Sequence, residues 1–194
     1  MTWEYSEDIL IERTAIDIFL KRLGWDTVVA YNKETFGDEG TLGRESKKDV
    51  VLKRTFIQKL IELNPGLPAK AYEDAYQKLI EESSAKTLEE MNFEKHQLMR
   101  DGIQIDYLNE KGEQVKGKTL RVFDYDNVEN NTFLAVRQLW LSGKSQRERR
   151  PDIIGFVNGI PILFIELKAA HRKLENAFND NFTDYKDVIP KLFY

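Results

Sequence analysis

Three residues near the end of the chain have the types and spacing to act on a phosphodiester: Asp152, Glu166 and Lys168. They stand in RPDIIGFVNGIPILFIELK (150–168), which is otherwise apolar apart from one turn. Two carboxylates can hold a hard divalent cation through oxygen, with Mg2+ and several waters as the natural choice. Such a cation polarises a phosphate and lowers the pKa of its water. A lysine beside it can orient that water or balance charge developing on the phosphate. The backbone carbonyl of Leu167, between the two side chains, is a further candidate ligand. The same spacing also suits a salt bridge of Asp152 or Glu166 with Lys168 at a sheet rim, since buried charges are costly unless paired or metal-bound.

The elements around these residues decide whether a site can form. Residues 152–157 and 160–167 read as two strands joined at Asn158-Gly159, a strong hairpin signal. Their continuous apolar runs predict burial on both faces, hence central strands. Glu166 and Lys168, two apart on a strand, share a face. Asp152 shares it only if the hairpin has odd parity. A two-residue loop with regular strands pairs 157 with 160 and turns Asp152 away from Glu166. A three-residue loop with Gly159 left-handed, or an equivalent bulge or bend, brings them together. The expectation is the odd-parity hairpin.

Further out, EDILIERTAIDIFLKRL (7–23) has helical spacing, with Ser6 as cap and Gly24 as stop. DTVVAY (26–31) reads as a strand, and 33–48 as a mobile loop rich in Gly, Lys and Glu. Helices are expected over 49–63, 69–82 and 87–101, forming an insertion or lobe (49–101) beside a sheet. IQIDYL and VKGKTLRVFDY form a hairpin, TFLAVRQLWL (132–141) is a strand, and LENAFNDNFTDYKDVI (174–189) is a helix. KSQRERR (144–150) places Lys144, Arg147, Arg149 and Arg150 just before Asp152. They are candidates for contact with DNA phosphates, or else a solvated loop.

Bulk properties narrow the classes. The chain has 194 residues, a net charge of −4 and no cysteine. It is long enough for one domain with a real core. The charge argues against general affinity for nucleic acid but leaves room for a local basic face. Absence of cysteine excludes disulfides and thiolate zinc sites and suits a reducing cytoplasm. No apolar run approaches the length of a membrane span and no signal peptide is evident. His96 and His171 lack metal-ligand spacing. Gly143-Lys144-Ser145 is not a phosphate loop, because Gln138 stands where that motif needs glycine.

The 150–168 stretch resembles the nuclease core of the PD-(D/E)xK superfamily. More closely, it resembles the N-terminal endonuclease domain of the restriction (R, motor) subunit of type I restriction–modification enzymes. The Asn-Gly-Ile-Pro turn, NNTFLAVRQLWL and SEDILIERTAIDIFLKRLGW carry the likeness, over 6–31 and 131–190. It implies an α/β fold: a restriction-endonuclease-like core with a mixed β-sheet flanked by helices, plus the helical insertion. Asp152 matches that family's metal-binding aspartate, Glu166 its second metal ligand and Lys168 its catalytic lysine. Glu12 matches the acidic residue of the first helix, an assistant at the metal or an ordinary exposed glutamate. The Gln-x-x-x-Tyr motif after the lysine reads Asn181-Phe-Thr-Asp-Tyr185, with asparagine replacing glutamine. Asn181 and Tyr185 are thus candidates for contact with DNA, Tyr185 equally for packing on the sheet.

The resemblance implies an Mg2+-dependent endonuclease acting on unmodified foreign double-stranded DNA. Its partners would be modification and specificity subunits and the helicase-type motor domains of the same chain. ATP would enter only through those motor domains, which are absent here. Residues 1–194 then form one endonuclease domain, expected to be a fragment of a longer chain. The other readings are a standalone nuclease of repair or recombination, and a non-catalytic module that docks DNA or partners.

Overall fold

The computed structural model of the chain describes residues 4–143, 147–167 and 182–194, with side chains from residue 11 onward. Helix α1 (Glu4–Arg22) leads into strand β1 (Asp26–Val29). After an irregular segment come α2 (Lys53–Leu63), α3 (Ala69–Ile80) and α4 (Leu88–Asp101), then a hairpin of β2 (Ile103–Leu108) and β3 (Gln114–Leu120). Strand β4 (Phe133–Arg137), short β5 (Leu141–Ser142) and β6 (Glu148–Arg149), β7 (Ile153–Val157), β8 (Ile160–Ile165) and helix α5 (Thr183–Val188) complete the described chain. The main sheet is mixed, ordered β1-β4-β7-β8, with β1 parallel to β4 and the other pairs antiparallel. It is flanked by helices, the α/β architecture expected of a PD-(D/E)xK-like core.

Each face of this sheet has its own core. On one, Ile153 and Ala135 pack against Phe19, Ala15 and Ile16 of α1, the apolar stripe of that helix. On the other, Ile154, Phe156 and Val136 meet Tyr185, Val188 and Ile189 from α5 and its C-terminal end. Strand β7 is central and buried, as its sequence predicts, but β8 is an edge among the described strands. Its apolar run does not mean burial on both faces, since Ile162 and Leu163 are exposed.

The hairpin between β7 and β8 has odd parity, reached in two steps. Asn158 and Gly159 have φ +50° and +81°, the left-handed pair of a two-residue turn, and Val157 pairs with Ile160. A β-bulge follows: Phe156 pairs with Pro161, but Gly155 pairs with Leu163, leaving Ile162 as the extra residue. Ile153 therefore faces Ile165. One further step in this register sets Asp152 opposite Glu166.

The turn is held from below. Asn158 is buried, and its amide nitrogen donates to the Val122 carbonyl and Asn131 Oδ1, both at 2.9 Å. Its Oδ1 accepts from the Thr132 N–H at 2.8 Å. Gly159 lies against the start of α2, where an added Cβ would come 2.7 Å from the Leu52 carbonyl oxygen. Glycine is therefore required by contact as well as by φ.

Helices α2 and α3 and the β2–β3 hairpin share a separate core of Phe56, Leu60, Tyr72, Tyr76, Leu79, Ile103, Ile105 and Leu120, which reaches the main sheet through Ile160. The 33–48 segment has no helix or strand, as expected, yet it is not a free loop. Arg44 is buried and grips Glu34 through two hydrogen bonds of 2.6 and 2.7 Å. It also donates to the carbonyls of Asp49 and Trp140. The polar composition that suggests mobility here serves an internal ion pair.

Asn158→Ala would strand the Val122 carbonyl and the Thr132 N–H and place a Cβ-bearing apolar residue at positive φ. Unpaired buried polar groups cost about 1–3 kcal/mol each, so urea denaturation should show a loss of about 3 kcal/mol. A loss below about 1 kcal/mol would mean that the turn holds itself.

Candidate active site

Asp152 and Glu166 meet at the end of the β7–β8 pair. The Leu167 N–H donates to Asp152 Oδ2 at 2.6 Å, which fixes the carboxylate across the strand ends. The Gln138 N–H donates to the Asp152 carbonyl at 2.9 Å and continues the β4–β7 ladder one residue beyond Arg137. One carboxylate oxygen of Glu166 is buried. Tyr185 of α5 joins the pair from the sheet face that carries Ile154 and Val136. Its phenol is pushed far above its usual range, first by burial, then by the charges of Glu166 and Asp152, with a hydrogen bond to Glu166 adding to the effect. The tyrosine singled out by sequence thus packs on the sheet and touches the candidate site at once. Its ring stacks edge-on with Phe164 at 5.0 Å.

Two contacts set the position of the described part of helix α5. An added Cβ on Gly143 would fall 1.7 Å from the Val188 carbonyl oxygen, so only glycine allows the strand end to approach this closely. Arg149 pairs with Asp184 through Nε and Nη2, Nε donating to Oδ2 and Nη2 to Oδ1. This fork-on-fork pairing places Asp184, and Tyr185 beside it, over the strand ends. The basic run before Asp152 is therefore engaged within the protein at two of its positions. Arg149 holds α5, and Arg150 lies over the Tyr31 and Trp140 rings at 4.6 and 5.2 Å. Arg147 contributes to the field at Asp184. Lys144, Lys168 and Asn181 lie outside the described residues.

Glu12 is not an exposed helix residue. It is buried, on the same stripe of α1 as Ala15, Ile16 and Phe19, and therefore on the sheet face opposite Tyr185. Gln138 Nε2 donates to both of its oxygens at 2.8 Å, and Arg137 Nε lies 3.5 Å away. Among the described residues no three His, Asp or Glu side chains gather closely enough to hold a metal. Glu12 is turned to Gln138 and Arg137 at the end of β4. Gln138 itself has φ +53°, and this breaks the predicted 132–141 strand into β4 and β5. A non-glycine residue in this region costs on the order of 1–3 kcal/mol.

The model of the family "Type I restriction enzyme R protein N terminus" matches residues 4–194. The chain belongs to this family. It is 37% identical over 177 residues to the type I restriction enzyme HindI endonuclease subunit of Haemophilus influenzae, covering 90% of this chain and 16% of that protein. It is 29% identical over 203 residues to the putative type I restriction enzyme MjaIXP endonuclease subunit of Methanocaldococcus jannaschii, covering 97% of this chain and 18% of that one. The chain thus spans less than a fifth of the length of these relatives.

For this R-protein N-terminal domain the donor set at the strand ends fits a hard cation. Two carboxylates and the Leu167 carbonyl are all oxygen, which suits Mg2+ with waters in its remaining positions. No described helix is long and apolar enough to cross a membrane. Sequence reasoning did not find Gln138 or Arg137 as partners of Glu12, nor Asp184 as the partner of Arg149. These pairs lie 126, 125 and 35 residues apart, so no local pattern marks them.

Arg149 holds the Asp184 carboxyl below its usual value by hydrogen bond and charge. A depressed carboxyl pKa stabilises the fold above the unfolded value, about 3.9, and that stability is lost as pH falls through the folded value. Wild type should therefore exceed Asp184→Asn in urea midpoint at pH 6, and the gap should close as pH drops below about 4. A gap of the same size at pH 3 as at pH 6 would mean that the pair contributes no charge-dependent stability.

Proposed function

We propose that this chain is the nuclease domain of a type I restriction enzyme, hydrolysing phosphodiester bonds of unmodified double-stranded DNA with Mg2+ as cofactor. The observation that carries the reading is the bulged register, which sets Asp152 opposite Glu166 at a strand end beside the Leu167 carbonyl. A rim salt bridge between Glu166 and Lys168 needs no such parity. The cited family and relatives support the reading at the level of an endonuclease subunit.

In this proposal Asp152, Glu166 and the Leu167 carbonyl hold the cation. The chemistry it supplies when bound is polarisation of a phosphate oxygen and a lowered pKa for water. Lys168, two residues beyond Glu166, orients the attacking water or offsets charge that develops on the phosphate. The Leu167 N–H keeps the Asp152 carboxylate turned toward Glu166. The Tyr185 hydroxyl, kept protonated by its surroundings, orients Glu166 by donating to it. Lys144, Arg147 and Asn181 remain proposed contacts to DNA phosphates. Arg149 and Arg150 act chiefly by shaping the surface that those residues occupy. Choice of DNA sequence and supply of ATP-driven motion fall, in this reading, to partner subunits and to motor domains elsewhere in the longer protein. The setting is the cytoplasm.

Mn2+ titration of the wild-type chain beside Asp152→Asn tests the site. The substitution keeps an oxygen that can accept the Leu167 N–H and removes the charge. Saturable binding should weaken at least about tenfold, roughly 1.4 kcal/mol. Equal saturable binding in both proteins would overturn the metal role of Asp152.

A further inference from the structure

We propose that Gln138 is a positioning residue for the Asp152 carboxylate, and that Glu12 acts on the site through Gln138 and not as a metal ligand. This rests on the metal-site reading above and deepens it.

Gln138 stands directly across from Asp152 in the β4–β7 register and binds its carbonyl through the backbone N–H at 2.9 Å. Regular alternation would send its side chain to the face that carries Val136 and Tyr185, where Asp152 and Glu166 lie. The left-handed backbone at φ +53° sends it instead to Glu12, on the α1 face. Glutamine has no local side-chain bond that favours this conformation, unlike asparagine or aspartate. It is held there by surrounding structure, and the visible return is a pair of hydrogen bonds to a buried carboxylate.

One residue thereby joins the two faces of the sheet. Its N–H holds the Asp152 backbone and its amide holds α1. Glu12 is also 3.5 Å from Arg137, the preceding residue of β4, so both partners of this carboxylate belong to the strand end that supports Asp152. Asp152 is then fixed from two sides, its carbonyl by Gln138 and its carboxylate by the Leu167 N–H. Partners that hold a ligand in this way typically change metal affinity by about tenfold or more when removed.

The test is Mn2+ affinity, measured for wild type, Asp152→Asn, Glu12→Gln, Glu12→Ala, Gln138→Gly and the Glu12→Ala/Gln138→Gly pair, with each melting curve recorded to match folded fractions. Gln138→Gly suits the left-handed backbone and keeps the N–H while removing the amide. Glu12→Gln keeps an oxygen for the Gln138 amide and removes the charge. The expected result is affinity about tenfold weaker in Gln138→Gly and in Glu12→Ala, no further loss in the pair, and near-wild-type affinity in Glu12→Gln. If Glu12→Gln loses binding as Asp152→Asn does, Glu12 is a ligand and the proposal is wrong. Wild-type affinity in Gln138→Gly would also overturn it. Unchanged affinity in Asp152→Asn would instead defeat the underlying metal-site reading, and the positioning role with it.

Discussion

One extra residue in β8 decides what the rest of this structure can do. Side chains on a strand alternate, so the parity of a hairpin determines which residues share a face. With the two-residue turn at Asn158-Gly159 and regular strands, Asp152 would face the α5 side and Glu166 the α1 side. The bulge at Ile162 reverses that parity within three residues of the turn. The turn itself cannot slip, because the Asn158 amide is tied to Val122, Asn131 and Thr132. A rigid turn and a compensating bulge together act as the odd-length loop would have done. They do so while keeping the more favourable two-residue turn geometry.

Placing two carboxylates opposite each other is unfavourable unless other groups offset the repulsion. Two donors at fixed positions lie on this pair: the Leu167 N–H on Asp152 and the Tyr185 hydroxyl on Glu166. Arg149, the nearest cation in sequence to Asp152 apart from Arg150, is committed to Asp184. Elsewhere the buried Glu34 carboxylate has the Arg44 guanidinium as its partner and serves the fold.

Much of this was legible in the sequence, for reasons specific to each residue. The Asn-Gly turn, the strand pair and the need for odd parity follow from local chemistry and from the requirement that Asp152 and Glu166 meet. Tyr185 was legible because its motif spacing survives. What could not be read were pairings between residues far apart in the chain, such as Arg149 with Asp184 and Glu12 with Gln138. Gln138 is the clearest case. The strand pattern through TFLAVRQLWL is regular, and nothing in it signals a left-handed residue in the middle. Only the Glu12 carboxylate, more than a hundred residues earlier, makes that conformation worthwhile. Edge status of β8 was hidden for a related reason, because an apolar run records the types of side chain and not the number of neighbouring strands.

The two helices that grip the strand ends do so by different means, and this bears on how the site could respond to its surroundings. Helix α1 lies against apolar residues of the sheet and adds one buried polar link, Glu12 to Gln138. The described part of helix α5, Thr183–Val188, is held by specific contacts. Those contacts are the Gly143 approach, the Arg149–Asp184 pair and the aromatic packing of Tyr185 on Phe164. Asp184 and Arg149 are partly exposed, so anything that competes for this arginine, a DNA phosphate included, acts directly on the placement of α5. Tyr185 adjoins Asp184 and touches Glu166, so a shift of α5 changes the environment of the carboxylate. The geometry thus links the basic surface before Asp152 to the acidic pair behind it through helix α5.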